Sequence, residues 1–90
     1  MRRKFSIGAR VIAVKEWDGN LSIVGTIGTV VGYDYFGNVC VAYDEFVGGH
    51  TLNGLCQKGH GWRCPERCLG HYVAASTPSI ITLSYEEVML

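Results

Sequence analysis

The sequence predicts a small, mainly β domain built as a five-stranded barrel. Its 90 residues allow a single domain. Over the first two thirds of the chain, short β-branched and aromatic runs alternate with turn signals. Residues 39–44 also alternate with the period of two that is typical of a strand with one buried face. Together these patterns favour several short strands around one core.

The first two strands are predicted at residues 10–15 and 25–34. The first is rich in β-branched residues and ends at Asp18-Gly19, a strong turn signal. The second contains Gly28 and Gly32, which indicate a bulge or a sharp bend within the strand.

The clearest hairpin joins this second strand to a third at residues 39–44. The segment 35–38, Tyr-Phe-Gly-Asn, turns the chain between them. Period-two alternation in the third strand then places three side chains on one face, Val39, Val41 and Tyr43.

Residues 60–64 predict a fourth strand, with His60, Trp62 and Cys64 on the same side. Pro65 ends it, residues 65–69 suit one 3₁₀ turn, and residues 71–73 return as a short fifth strand. Beyond the barrel, a capping-box pattern at residues 84–87 predicts a tail that ends in one helical turn or stays partly disordered. We therefore divide the chain into a barrel, residues 1–73, and a C-terminal extension, residues 74–90.

Charge does not favour a general polyanion-binding role, because the formal net charge is zero. The charges are nevertheless unevenly placed. Five basic residues precede any acid, and residues 16–49 carry five acids with no Lys or Arg. This pattern predicts either two faces of opposite sign or ordinary solvated surface with a short basic arm.

No apolar run is long enough to span a bilayer, and the N-terminus lacks the apolar core of a secretion signal. We expect a cytoplasmic protein that does not associate with a membrane. In a reducing compartment, its four cysteines are better explained by metal binding or by burial than by disulfides.

A glycine-rich segment, residues 48–68, carries most of the potential metal ligands. It offers five candidates for the four positions of a zinc site, separated by five, three, three and three residues: His50, Cys56, His60, Cys64 and Cys68. Four protein ligands leave no position for a reactive water, so the sequence predicts a structural zinc ion, about one per chain.

Alternatives remain open for each candidate ligand. The trio His50, Cys56 and His60 can close around one ion, or the histidines can hold the loop by hydrogen bonds while Cys56 packs as a small hydrophobe. Cys64 sits where a strand needs a core residue, whereas Cys68 is the better placed of the two to reach outward. Cys40, in the middle of the third strand, is predicted to be core.

Several motifs together resemble a group of small SH3-like β-barrel proteins of phages and mobile elements. The resemblance covers residues 5–73, and its most specific part is Gly48-Gly49-His50, Cys56 and Gly59-His60-Gly61-Trp62. The other matching segments are Gly8-Ala9-Arg10-Val11, Gly25-Thr26-Ile27-Gly28-Thr29-Val30-Val31, Val41-Ala42-Tyr43-Asp44-Glu45 and Pro65-Glu66. Sequences of this group often carry a further Cys near 52 or 61, where this chain has Leu52 and Gly61. Cys64 and Cys68 can take its place.

Some small phage proteins of this kind are anti-CRISPR proteins that bind a Cas effector. The resemblance therefore implies an inhibitor that binds a Cas9-type nuclease and blocks loading of target DNA. We expect no enzymatic activity, because a barrel of this size rarely offers a catalytic cleft and no nucleophile elbow or phosphate-binding loop is present.

Aromatic residues around the hairpin turn are the predicted partner contacts: Tyr33, Tyr35 and Phe36. A well-packed turn explains the same residues equally well, whereas core packing explains Trp62 better. The alternative function is a nucleic-acid-binding SH3-like module with phosphate contacts from Arg2, Arg3, Lys4, Arg10, Lys15, Lys58, Arg63 and Arg67. Zero net charge argues against it, so direct nucleic-acid binding is not expected.

Overall fold

The computed structural model describes residues 3–73, and these form one antiparallel sheet of five strands in the order β4-β3-β2-β1-β5. The predicted fold class, mainly β with an SH3-like arrangement of five strands, is confirmed. The strands are β1 (Arg10–Ala13), β2 (Ile27–Tyr33), β3 (Val39–Tyr43), β4 (Gly61–Cys64) and β5 (Leu69–His71). Two 3₁₀ turns complete the structure, Leu21–Ile23 and Glu66–Cys68.

The β1–β2 connection begins at the predicted turn. Asn20 N–H donates to the Trp17 carbonyl at 3.2 Å, and Asp18 and Gly19 between them both have positive φ. The 3₁₀ turn that follows was not predicted. It forms because the Asn20 side chain accepts a hydrogen bond from Ser22 N–H at 3.0 Å, which caps its first turn.

The β2–β3 hairpin follows the prediction closely. The register shifts between Val30 and Gly32, so the predicted bulge is confirmed. Beyond β3, the fourth strand pairs Trp62 with Val41 and Cys64 with Val39, which puts their side chains on the core face. The fifth strand begins at Leu69, two residues earlier than predicted, because the backbone becomes extended directly after the second 3₁₀ turn.

One hydrophobic core lies against this sheet and receives side chains from every strand. Its members are Phe5, Val11, Ala13, Ile23, Val30, Val39, Val41, Tyr43, Val47, Cys64, Cys68 and Leu69. Trp62 packs against it at the margin. The sheet must curve around this cluster for five strands to share it.

Three other features bear on the predictions. Cys40 is buried, as predicted, although its side chain lies outside the main core cluster. The C-terminal extension and its predicted helical turn lie outside the described residues. Among residues 3–73, none of the helical segments has the length and apolar character needed to span a membrane.

Candidate functional site

The hairpin turn, residues 34–38, is held in one shape by its first residue. The Asp34 carboxylate accepts hydrogen bonds from the backbone N–H groups of Phe36 and Asn38, both at 2.9 Å. Asp34 N–H in turn donates to the Asn38 carbonyl at 2.9 Å. Gly37 completes the turn with a φ of 86°, a conformation that glycine adopts without strain. The turn is therefore organised by its own polar groups.

The two aromatic residues at the tip of this turn face solvent. Tyr35 is 96% exposed and Phe36 is 83% exposed, and their rings meet edge to face with centroids 5.4 Å apart. Among the predicted partner contacts, these two are therefore not part of a packed core. Large aromatic side chains presented together on a fixed turn are the kind of group that anchors protein interfaces.

Tyr33, the third predicted contact, has a structural role beside them. Its hydroxyl lies 2.7 Å from Glu66 Oε2 and accepts a hydrogen bond from Phe5 N–H at 3.0 Å. Burial, followed by the hydrogen bond to Glu66, raises the pKa of Tyr33. Tyr33 thus ties the hairpin to the second 3₁₀ turn and to the N-terminal arm, residues 3–9.

A cleft of about 250 Å³ opens between these three elements. Arg3 places its guanidinium over the Tyr33 ring, 4.5 Å from the centroid. The residues that line the cleft are Arg3, Tyr33, Asp34, Tyr35, Phe36, Gly37 and Glu66. It combines aromatic surface with two carboxylates.

A second cleft of about 260 Å³ shares Asp34 with the first. Trp62 donates its indole N–H to the Trp17 carbonyl at 3.0 Å, and the His50 ring lies 5.7 Å from the Trp62 ring. The lining residues are Trp17, Asp18, Asp34, Asn38, His50, Trp62 and Arg63. Its walls are more polar than those of the first cleft.

The predicted metal ligands of the long loop, residues 44–60, make hydrogen bonds to the backbone. His50 Nδ1 accepts from Leu52 N–H at 3.2 Å, and His60 Nδ1 donates to the Tyr43 carbonyl at 2.9 Å. The Cys56 thiol points at the His50 carbonyl, 3.7 Å away, and burial raises its pKa. These contacts match the alternative in which histidine hydrogen bonds hold the loop.

The two remaining candidates are in the core. Cys64 is fully buried, and burial, as the largest cause, raises its pKa to about 11. The prediction that Cys68 reaches outward is wrong, because its side chain is 1% exposed and belongs to the core cluster. The second 3₁₀ turn is tied to the residue after β1 by the hydrogen bond from Val14 N–H to the Cys68 carbonyl, and in this position Cys68 is buried and Arg67 is exposed.

No three of the His, Cys, Asp and Glu side chains in residues 3–73 converge on a point where a metal ion could sit. The structure therefore does not bring the five predicted ligands together. His60 alone has the hydrogen bond that metal-ligating histidines usually make, with Nδ1–H on a carbonyl and Nε2 left for a ligand. As placed, the residues do not fit a zinc ion, and zinc binding stays a prediction.

Sequence reasoning missed several residues that line the first cleft. Glu66 was placed in a 3₁₀ turn, but its position beside Tyr33 depends on how that turn packs and has no local signal. Asp34 did have a signal, since an Asp at the start of a short turn commonly accepts hydrogen bonds from the backbone two residues on. Arg3 was assigned to a basic arm and, in the alternative function, to a phosphate contact, but not to this cleft.

Comparison with known proteins supports the fold. The sequence has no match among curated proteins. The family model described as the Xrn1 SH3-like domain matches residues 3–70, a range that runs from the N-terminal arm into β5. This range is more than half of the chain and contains the hairpin turn, the long loop and both clefts. The chain therefore belongs to the Xrn1 SH3-like domain family.

Proposed function

We propose that this protein is a non-enzymatic binding module that attaches to another protein through its hairpin turn. The observation that carries the proposal is the near-complete exposure of Tyr35 and Phe36 on a turn that Asp34 holds fixed. Burying a large apolar side chain contributes about 1.5–3 kcal/mol. Because the turn is already ordered, little conformational entropy is lost when a partner covers it.

The partner we propose is a Cas9-type effector, which the protein inhibits by blocking the loading of target DNA. The resemblance to small phage proteins supports this target. Charge supports it as well: such effectors hold nucleic acid in a positively charged channel, and residues 16–49 carry five acids and no Lys or Arg. A protein with an acidic middle segment and aromatic anchors suits a surface that normally receives nucleic acid.

A purely binding role is also supported by the state of the thiol nearest to a histidine. Cys56 directs its thiol at the His50 carbonyl rather than at an imidazole nitrogen, and burial raises its pKa. A nucleophilic cysteine requires the opposite, a base in contact with the sulfur and a lowered pKa.

The second candidate function, nucleic-acid binding, is favoured by one observation. The exposed Arg67 places its guanidinium 5.0 Å from the centre of the Trp17 ring, a combination found at nucleic-acid surfaces. Against it, Arg10 is paired with Asp44. Salt separates the two functions, since binding to phosphates weakens steeply as salt rises and binding through aromatic anchors changes little.

The test is co-elution of the purified protein with a Cas9-type effector on size exclusion, together with a DNA-cleavage assay. We expect a stoichiometric complex and reduced cleavage without modification of either component. Tyr35→Ala or Phe36→Ala should weaken binding by about 1–3 kcal/mol. Phe46→Ala is the matched control, because Phe46 is 73% exposed but lies on the long loop. Equal losses from Phe36→Ala and Phe46→Ala would contradict the proposed surface.

Zinc binding is a separate proposal with its own test. Elemental analysis of protein purified without chelator should find about one zinc per chain if the five-ligand prediction is right. Thiol alkylation gives a second readout, because Cys56 is the one partly exposed thiol and the other three are buried. If zinc is bound, alkylation of Cys56 should be slow until a chelator is added. Fast alkylation without chelator, together with no metal, would refute the prediction.

A further inference from the structure

We propose that the first cleft is a guanidinium-binding site that receives an arginine side chain of the protein partner. In the free protein, Arg3 of the N-terminal arm occupies this position. The proposal rests on the proposed function and adds to it the chemistry of the residue that the cleft recognises. The partner segment we infer is basic, exposed and arginine-bearing.

The position of Arg3 is the first argument. Its guanidinium lies 4.5 Å from the centroid of the Tyr33 ring, within the range of a cation–π interaction. Tyr33 cannot turn away from this contact easily, because its hydroxyl is bonded to Glu66 and to the backbone of Phe5. The cleft therefore presents a fixed aromatic face to which a guanidinium already binds.

Charge is the second argument. Glu66 accepts hydrogen bonds from the Tyr33 hydroxyl and from Lys4 N–H, both at 2.7 Å. These hydrogen bonds, with that of Tyr33 the largest cause, lower the pKa of Glu66, so its carboxylate is ionised at neutral pH. Asp34 supplies a second carboxylate to the same cleft. Two acids beside one aromatic face favour a cation and disfavour a phosphate or carboxylate ligand.

The third argument is that Arg3 leaves the Glu66 carboxylate free to pair directly with an incoming ligand. Within residues 3–73, one ion pair forms, between Arg10 and Asp44, so the Arg3 guanidinium contacts the Tyr33 ring without an ion pair to Glu66. Arg3 is exposed. Arg3 lies close enough for its charge to help lower the pKa of Glu66. A partner arginine that contacts both the Tyr33 ring and the Glu66 carboxylate would gain the direct ion pair that Arg3 does not make.

Arginine fits better than lysine for geometric reasons. The guanidinium is planar, so it can stack on an aromatic ring while its edge donates hydrogen bonds to a carboxylate, whereas an ammonium acts as a point charge. In the cleft, Tyr33 offers the ring and Glu66 the carboxylate, and the exposed rings of Tyr35 and Phe36 form the wall beside them. This arrangement can enclose the aliphatic stem as well as the charged end.

The experiment titrates the 90-residue protein with a short blocked peptide that contains one arginine and follows backbone amide shifts by NMR. The control peptide carries citrulline, which has nearly the same shape without the charge. We expect the arginine peptide to shift the amides of Tyr35, Phe36 and Gly37, and the citrulline peptide to leave them in place. Similar shifts with both peptides, or none with either, would overturn the proposal.

Three variants sharpen this test. Arg3→Ala removes the competing side chain and should tighten peptide binding by about threefold. Glu66→Gln keeps a hydrogen-bond acceptor for Tyr33 but removes the charge, and should weaken binding by about threefold to tenfold. Glu45→Gln, a change of the same kind at an exposed acid of the long loop, should have no effect. If Glu66→Gln and Glu45→Gln bind the peptide equally, the assignment of Glu66 is wrong.

Co-elution with the effector in parallel separates this inference from the proposed function. If Phe36→Ala abolishes the complex and Glu66→Gln does not, the partner docks through the aromatic rings alone and the arginine site is overturned. If no complex forms with any variant while the arginine peptide shifts the cleft, the guanidinium site is supported and the proposed partner is wrong.

Discussion

The hairpin turn, residues 34–38, and the long loop, residues 44–60, both carry residue types that suggest a functional site, but the fold uses them in opposite ways. In the turn, Tyr35 and Phe36 remain in solvent. In the long loop, Val47 and Leu52 are buried, and the histidines make hydrogen bonds within the chain. A short turn has no room to fold its apolar side chains back onto the sheet, whereas a long loop does.

The long loop is a packed part of the structure. The Val47 and Gly49 N–H groups donate to the Gly59 carbonyl. His50 and Gly61 each donate their backbone N–H to the carbonyl of the other. Leu52 is 1% exposed although its φ is 52°, an uncommon backbone conformation for a leucine. The backbone accepts this strain because burial of the side chain offsets it. The loop therefore has buried side chains and backbone hydrogen bonds of its own that help to order it.

The largest effect that tests this comparison is expected for Leu52→Ala. Truncating a fully buried leucine leaves a cavity and should lower the free energy of unfolding by about 2–5 kcal/mol. Leu21→Ala is the matched control, since Leu21 is 73% exposed, and should change the free energy by less than about 0.5 kcal/mol. Urea unfolding measures both. A small loss for Leu52→Ala, combined with a large loss when chelator is added to the wild type, would show that a metal orders the loop.

The next largest loss of stability is expected when a side chain is added at Gly61, where there is no space for one. A methyl group there would lie 2.6 Å from Leu52 Cγ and 2.8 Å from Cys56 Sγ, closer than packed atoms allow. Gly61→Ala should therefore destabilise the protein by about 1–3 kcal/mol through overpacking. Gly32→Ala, in β2, would meet nothing within 4 Å and should be neutral or slightly stabilising. Equal thermal stability of the two variants would mean that the loop does not pack on β4 as described.

A smaller effect on stability is expected from replacing Glu66, the acid that supports the hairpin turn through Tyr33. The pKa of Glu66 is lowered below its ordinary value of 4.5. A carboxyl group whose pKa is lowered by folding stabilises the folded state at any pH above its ordinary pKa. This stabilisation is lost as the pH falls through the pKa of the folded state. Because Glu66 is only partly buried and its interactions are screened by solvent, Glu66→Gln should cost less than about 1 kcal/mol at neutral pH. The difference from the wild type should shrink below pH 4.5; a difference that grows there would contradict the assignment.

The smallest stability effects are expected at the tip of the hairpin turn. Tyr35→Ala and Phe36→Ala remove side chains that contact mainly solvent and each other, so each should change the free energy of unfolding by less than about 0.5 kcal/mol. The same variants should weaken partner binding, and this separation is the signature of a binding residue. A large loss of stability would show that the rings pack in solution.

Local pattern predicted most of the β structure, because strands, bulges and turns depend on neighbouring residues. The alternation in residues 39–44 correctly placed Val39, Val41 and Tyr43 on the core side, and Gly32 correctly marked a bulge. The start of the fifth strand was less accurate. It depends on where the second 3₁₀ turn ends, and the backbone is already extended at Leu69, directly after Cys68.

The candidate site was only partly predictable from the sequence. The aromatic residues of the hairpin turn were identified, because a cluster of large rings at a turn is visible in the chain. Glu66 and Arg3 were not linked to Tyr33, because Glu66 lies 33 positions and Arg3 30 positions from it along the chain. Contacts over such distances leave no periodic signal.

The sequence by itself determined the fold class, the main hairpin and the residue types available for function, because backbone preference and side-chain alternation act locally. Only the tertiary structure decided which of those residues remain accessible. It buried Cys68, engaged His50 and His60 in hydrogen bonds, and left Tyr35 and Phe36 in solvent. The physical reason is that exposure depends on what the rest of the chain places over a residue, and a one-dimensional pattern does not contain that information.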